Sequence, residues 1–68
     1  MYQQIFDYLL QQITCVKRLT DNAFIPFDAA NSDFQTFKRE VSEGVELQDP
    51  DGNVMTQEQV DEFLRTIP

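Results

Sequence analysis

One cysteine and no histidine in 68 residues leave this chain with very few ways to hold itself together. A chain of this length buries only about 60% of the surface its unfolded form exposes, so its stability is marginal without help. The usual help at this size is a disulfide, a metal or oligomerisation. Cys15 has no second cysteine to pair with, and a lone thiol without imidazoles cannot build a zinc site. Stability therefore has to come from a tight aromatic core or from burial against a partner. Six Phe and two Tyr, within a hydrophobic content of 41%, supply the core and are too apolar for a disordered chain.

The charge is unevenly placed. The net charge is −7, and residues 1–39 balance four acids against four bases. Residues 40–68 set eight acids against Arg65 alone, so the whole net charge lies in that segment. Phosphate contacts need Lys and Arg, so direct nucleic-acid binding is not expected. An acidic half suits solubility, a basic partner surface or repulsion from DNA. No run approaches the roughly 18 apolar residues of a membrane helix. MYQQIFDYLLQQ lacks a basic n-region and a small-residue cleavage site, which predicts a soluble protein made in a cytoplasm.

Local chemistry divides the chain into elements. In residues 1–12, Tyr2, Ile5/Phe6, Leu9 and Ile13 fall at helical spacing, while the β-rich composition of Tyr2–Tyr8 before Gln11-Gln12 equally allows a strand and a turn. ITCVKRL and AFIPF flank the turn cluster Thr20-Asp21-Asn22 and read as a β-hairpin. Pro26 has no N–H, which confines it to a strand end or a sheet edge. Ser32 with Gln35 fits a capping box and Asp33 suits a helix N-terminus. Phe34, Phe37 and Val41 share a face and Gly44 stands at a left-handed cap, predicting a helix over 33–43. Asp49-Pro50-Asp51-Gly52-Asn53 is a turn within a small hairpin over 45–55. Thr56 with Gln59 is a second capping box, opening a helix over 57–66 with Val60, Phe63, Leu64 and Ile67 on one face. An Asp61–Arg65 pair is spaced to support it.

Catalysis needs a nucleophile with a base, paired carboxylates in a cleft, or a metal. Cys15 has no imidazole partner and reads as a small core hydrophobe. A chain this short leaves little room for a substrate cleft beside a core. No enzyme activity, cofactor or metal is expected. With Gly52 set at the sixth position of an EF-hand loop, Asp49, Asp51, Val54 and Glu58 fall at matching positions. Leu47 and Pro50 do not fit that frame, and a plain turn is the expectation. Phe24, Ile25, Pro26 and Phe27, with Phe34 and Phe37, are the candidate docking residues, although the same rings are the material for a core.

The stretch Val16–Phe37 resembles a short module of tailed-bacteriophage proteins, in small tail or tail-fibre-associated proteins and fibre tips. That module reads V-x-R-x-x-D-G/N-A-x-I-P-x-D-x-x-N-x-D-Y/F-x-x-Y/F, and the likeness covers about a third of the chain. The segment from Gly44 is similar to the sequences on the C-terminal side of that module. Ala29 stands where proline is common, and Lys38-Arg39-Glu40 replaces a frequent Leu-x-Trp, which removes an aromatic. The resemblance implies a strand at about 2–8, making a three-stranded meander with the hairpin.

The expectation is thus one small α+β domain spanning 1–68: β-rich over 1–27, a helix, a short hairpin, and a C-terminal helix. The resemblance implies a structural or adaptor role in a phage virion, in the tail, baseplate or fibre apparatus. Its partners would be other virion proteins, and it would be present in several copies. The rival readings are an acidic, DNA-mimicking inhibitor of a host enzyme and a capsid-decorating protein.

Overall fold

The computed structural model describes residues 1–67. The order is β1 (Tyr2–Asp7), β2 (Gln12–Arg18), β3 (Ala23–Pro26), α1 (Ser32–Ser42), β4 (Leu47–Gln48) and α2 (Gln57–Leu64), an α+β fold. The four strands form one sheet in the order β3-β2-β1-β4. β1–β2 and β2–β3 are antiparallel, as a meander requires. The expected small hairpin does more than turn: its first arm, β4, joins the sheet parallel to β1, with Tyr2 beside Leu47 and Gln3 beside Gln48. Its second arm returns through a bridge between Gln48 and Val54. The sheet is therefore mixed. Pro26 lies in β3, an edge strand, where its missing N–H costs no ladder bond.

Side-chain alternation along strands assigns the two faces. The registers place Tyr2, Gln4, Val16, Arg18, Ile25 and Leu47 on one face. The other carries Gln3, Ile5, Cys15, Lys17, Phe24, Pro26 and Gln48. The helices cover the first face. Tyr2, Val16, Ile25 and Leu47 join Phe34, Phe37 and Val41 of α1 and Val60 of α2 in one buried cluster. Phe37 sits at the centre, edge-on to Tyr2 at 5.0 Å and stacked on Phe34 at 6.3 Å. The Tyr2 hydroxyl donates to Glu40 of α1, tying sheet to helix. A bulge between Ile5 and Phe6 shifts the β1–β2 register near the far end of the hairpin.

The cap of α1 differs from the expectation. Asn31, not Ser32, is the N-cap: its extended backbone turns the chain and its Oδ1 accepts from Phe34 N at 3.1 Å. Ser32 is the first helical residue, and Gln35 donates instead to Ala29 O. An amide side chain caps as well as a hydroxyl, so the neighbouring asparagine took the role. At the other end Gly44 has φ +107°. Gly44 N donates to Val41 O and Val45 N to Glu40 O, the Schellman pattern. The second capping box forms as read, with Thr56 and Gln59 exchanging bonds. Asp61 Oδ1 accepts from the Gln57 amide within the same helix, and that amide also donates to Val41 O of α1.

Candidate docking surface

The six expected docking residues separate by the faces of their elements. Ile25, Phe34 and Phe37 are core, each 2% exposed or less. Phe27 is half-buried between Phe34 and Phe63, with ring centroids at 5.5 and 5.9 Å. Only Phe24 and Pro26 are exposed, both on the sheet face that no helix covers. Strand alternation splits Phe24-Ile25-Pro26-Phe27, so the run does not act as one patch.

The polar positions of Val16–Phe37 have work inside the fold. Arg18 donates to both carboxylate oxygens of Asp21, at 2.9 and 2.8 Å, and reaches Asp33 of α1 at 3.5 Å. Those bonds hold the Asp21 carboxyl below its usual range. Asn22 takes φ +59°, a left-handed position that asparagine tolerates, and closes the β2–β3 turn. Asp28 accepts from Ala30 N and Asn31 caps α1. The spacing thus encodes a hairpin, a connection and a helix start.

The longest run of consecutive exposed apolar side chains lies elsewhere. Tyr8, Leu9 and Leu10, at the tip of the β1–β2 hairpin, are 79%, 95% and 61% exposed. Their backbone is fixed from below. Asp7 Oδ1 accepts from Leu9 N at 2.8 Å and Leu10 N at 3.1 Å. Gln11 adopts φ +55° and its amide donates to Tyr8 O at 2.6 Å. The Tyr8 ring leans edge-on against Phe6 at 5.0 Å. Specific polar bonds therefore hold three large apolar side chains in water. Sequence reasoning missed this tip because Leu9 also fits helical spacing. Once residues 2–7 are a strand, the tripeptide before Gln11-Gln12 has to occupy the turn.

Two features flank the tip. A groove of about 450 Å³ is lined by Gln12, Ile13, Phe27, Phe63, Thr66 and Ile67. Its apolar walls are only half-buried, so the described residues leave it unsealed. On the opposite side of the hairpin, β4 pairs β1 only at Tyr2 and Gln3. Among the described residues no strand lies beside Gln4–Asp7 on that edge. Unpaired edge backbone accepts an added strand.

The remaining candidates are internal. Cys15 is half-buried, and that burial pushes its thiol up, away from the reactive thiolate. Asp49 commits its carboxylate to its own turn, accepting from Asp51 N and Asn53 N at 2.9 Å each, which lowers its pKa. Glu58 stands in the first turn of α2. No group of three or more carboxylate or thiol ligands is placed to hold a metal among the described residues. Nor is any described helix long and apolar enough to cross a membrane. No protein-family model, curated protein or solved structure matches this chain.

Proposed function

We propose that this protein works by docking to other proteins, without catalysis, through the end of the sheet that carries Tyr8, Leu9 and Leu10. The observation that carries the reading is the exposed apolar tip, pinned by Asp7 and Gln11 rather than left loose. Exposed apolar surface costs solubility, and a hairpin tip needs none of it for its own turn, so its retention points to a partner. A tip fixed beforehand also loses less entropy on binding.

The particle in which it docks is a tailed-phage virion, as a tail, baseplate or fibre component in several copies. That part of the reading rests on the resemblance of Val16–Phe37 and on the use of small repeated parts, whose weak contacts add up in a symmetric assembly. Mass spectrometry of purified particles from the source genome tests it. The chain is expected in them at a fixed multiple per particle, and lost from them when Leu9→Asp is introduced. Hundreds of copies per particle would instead mark capsid decoration. Absence from particles would overturn the virion reading and favour an acidic effector, recognisable by salt-sensitive capture of basic host proteins.

A further inference from the structure

We infer that the partner docks by strand addition: an extended, basic-ended segment of another protein pairs with the open edge of β1 at Gln4–Asp7. This rests on the docking reading above and names how the partner is held and what it is made of. The direction of the backbone bonds fixes which groups are free. Tyr2 N donates to Glu46 O, on the β4 side, whereas Met1 O accepts from Leu19 N, on the β2 side. Alternation along the strand therefore turns Gln4 and Phe6 toward the β4 side, and Ile5 and Asp7 toward β2. The bulge between Ile5 and Phe6 puts its extra residue, Thr14, in β2, so β1 keeps this alternation. β4 ends at Gln48, beside Gln3. Beyond it, the Gln4 carbonyl and the N–H and carbonyl of Phe6 meet no strand among the described residues.

The two edges of the sheet are treated differently. β3 is four residues long and ends in Pro26, the kind of blunting that keeps an edge from recruiting strands. Gln4–Asp7 carries no proline or lysine, and its one charge, Asp7, turns Oδ1 to the N–H groups of Leu9 and Leu10. A recess of about 220 Å³ lies along this edge, lined by Gln3, Gln4, Ile5, Phe6, Tyr8 and Pro50. It has room for one side chain of an added strand. Gln3 braces the Pro50 wall, its amide donating to Asp49 O and Pro50 O at 3.3 and 3.4 Å. An extended segment supplies the donors and acceptors that the edge lacks, and every second side chain of it reaches the same face.

Charge selects the segment. Acids stand at both ends of the edge, Asp7 at one and Asp51, next to Pro50, at the other. Residues 1–16 and 40–64 hold no Lys or Arg. Lys17 and Arg18 lie across β1, on β2, and Arg18 is committed to Asp21 and Asp33. A second copy of this chain would set acids against acids. A segment with Lys or Arg at its ends and an apolar residue opposite Phe6 matches the edge, the recess and the charge together.

Hydrogen exchange of the full chain, followed by NMR, reads the edge, and the capped peptide Lys-Thr-Val-Thr-Val-Lys is the probe. In the free chain Phe6 N–H is expected to exchange faster than Ile5 N–H, which faces β2. Saturating peptide is expected to slow Phe6. The same peptide N-methylated at every inner residue keeps its charge and side chains but loses its donors, and is expected to leave Phe6 unchanged. Glutamates in place of the lysines should weaken binding about tenfold at low salt. Phe6→Ala and Phe6→Pro both remove the ring, but only the second removes the outward N–H. With an unchanged far-UV spectrum, Phe6→Ala should still bind and Phe6→Pro should not; the peptide arms decide the matter even where Phe6→Pro fails to fold. Phe6 already protected in the free chain, no slowing by the lysine-ended peptide, or equal binding of the N-methylated or glutamate-ended peptide overturns the inference. The docking reading fails separately: a chain lost from particles as Leu9→Asp but kept as Phe6→Pro retains that reading and rejects strand addition.

Discussion

Replacing Tyr2 by phenylalanine isolates one buried polar contact and leaves its packing in place. The Tyr2 ring is 2% exposed and meets Phe37 edge-on at 5.0 Å, contacts that Tyr2→Phe keeps. It removes the hydroxyl that donates to Glu40. A hydrogen bond to a charged group contributes about 1.5–3 kcal/mol. Glu40 is half-buried and rehydrates in part once its partner is gone, so a loss near the lower end, about 1.5 kcal/mol, is expected at neutral pH.

The same contact has an alkaline signature. Burial first, then the bond to Glu40 and the Glu40 charge, push the Tyr2 phenol up from 10.0 to about 12. A group whose folded pKa lies above its unfolded value stabilises the fold fully below the unfolded pKa, and loses that contribution as pH rises through the folded one. A rise of this size sets an upper bound of about 2–3 kcal/mol, reduced by water's access to the phenol oxygen, lost between roughly pH 10 and pH 12. Ionised Tyr2 beside Glu40 is then worse than phenylalanine, so the ranking of the two proteins should reverse. Urea unfolding followed by circular dichroism measures this, on a Tyr8→Phe background so that Tyr2 is the only phenol. At neutral pH, Tyr2→Phe should lower the midpoint without changing the slope. A neutral-pH loss below about 0.5 kcal/mol, together with parallel alkaline curves, would refute the reasoning.

Other contacts make their own predictions. Asn31→Ala should cost about 1 kcal/mol in urea unfolding and Ser32→Ala less than about 0.5, because Asn31 holds Phe34 N and Ser32 does not. Gly44→Ala should lower stability by about 1–2 kcal/mol through backbone strain at φ +107° alone, since a Cβ there meets nothing within 4 Å; Gly44→Asn should recover part of it in the same assay. Phe34→Ala should cost about 3–5 kcal/mol, against a total of about 3–10 for a chain this size, leaving much of the protein unfolded by circular dichroism. Leu9→Ala, in open water, should leave the melting curve unchanged.

The sequence by itself determined the features whose cause lies within a few residues. The turn at Thr20-Asp21-Asn22, the Gly44 cap, the Thr56–Gln59 box, both helices and the edge position of Pro26 depend on local geometry and hydrogen bonding. Such interactions are written into neighbouring letters. The tertiary structure decided the rest. Tyr2–Asp7 hides its alternation because Gln4, a polar residue, occupies an inward position and is buried at 7% exposure. The apolar letters that remain fall at helical spacing, and only pairing with β2 and β4 makes the segment a strand. The parallel seat of Leu47 beside Tyr2 joins residues far apart in the chain, and no local signal specifies it. The same holds for the aromatics. Composition supplies enough rings for a core, but alternation against a helix layer chose Ile25, Phe34 and Phe37 for the interior and left Phe24 outside. The hairpin then carried Tyr8, Leu9 and Leu10 beyond the reach of either helix, which is why the most exposed apolar surface lies where no pattern in the residues marks it.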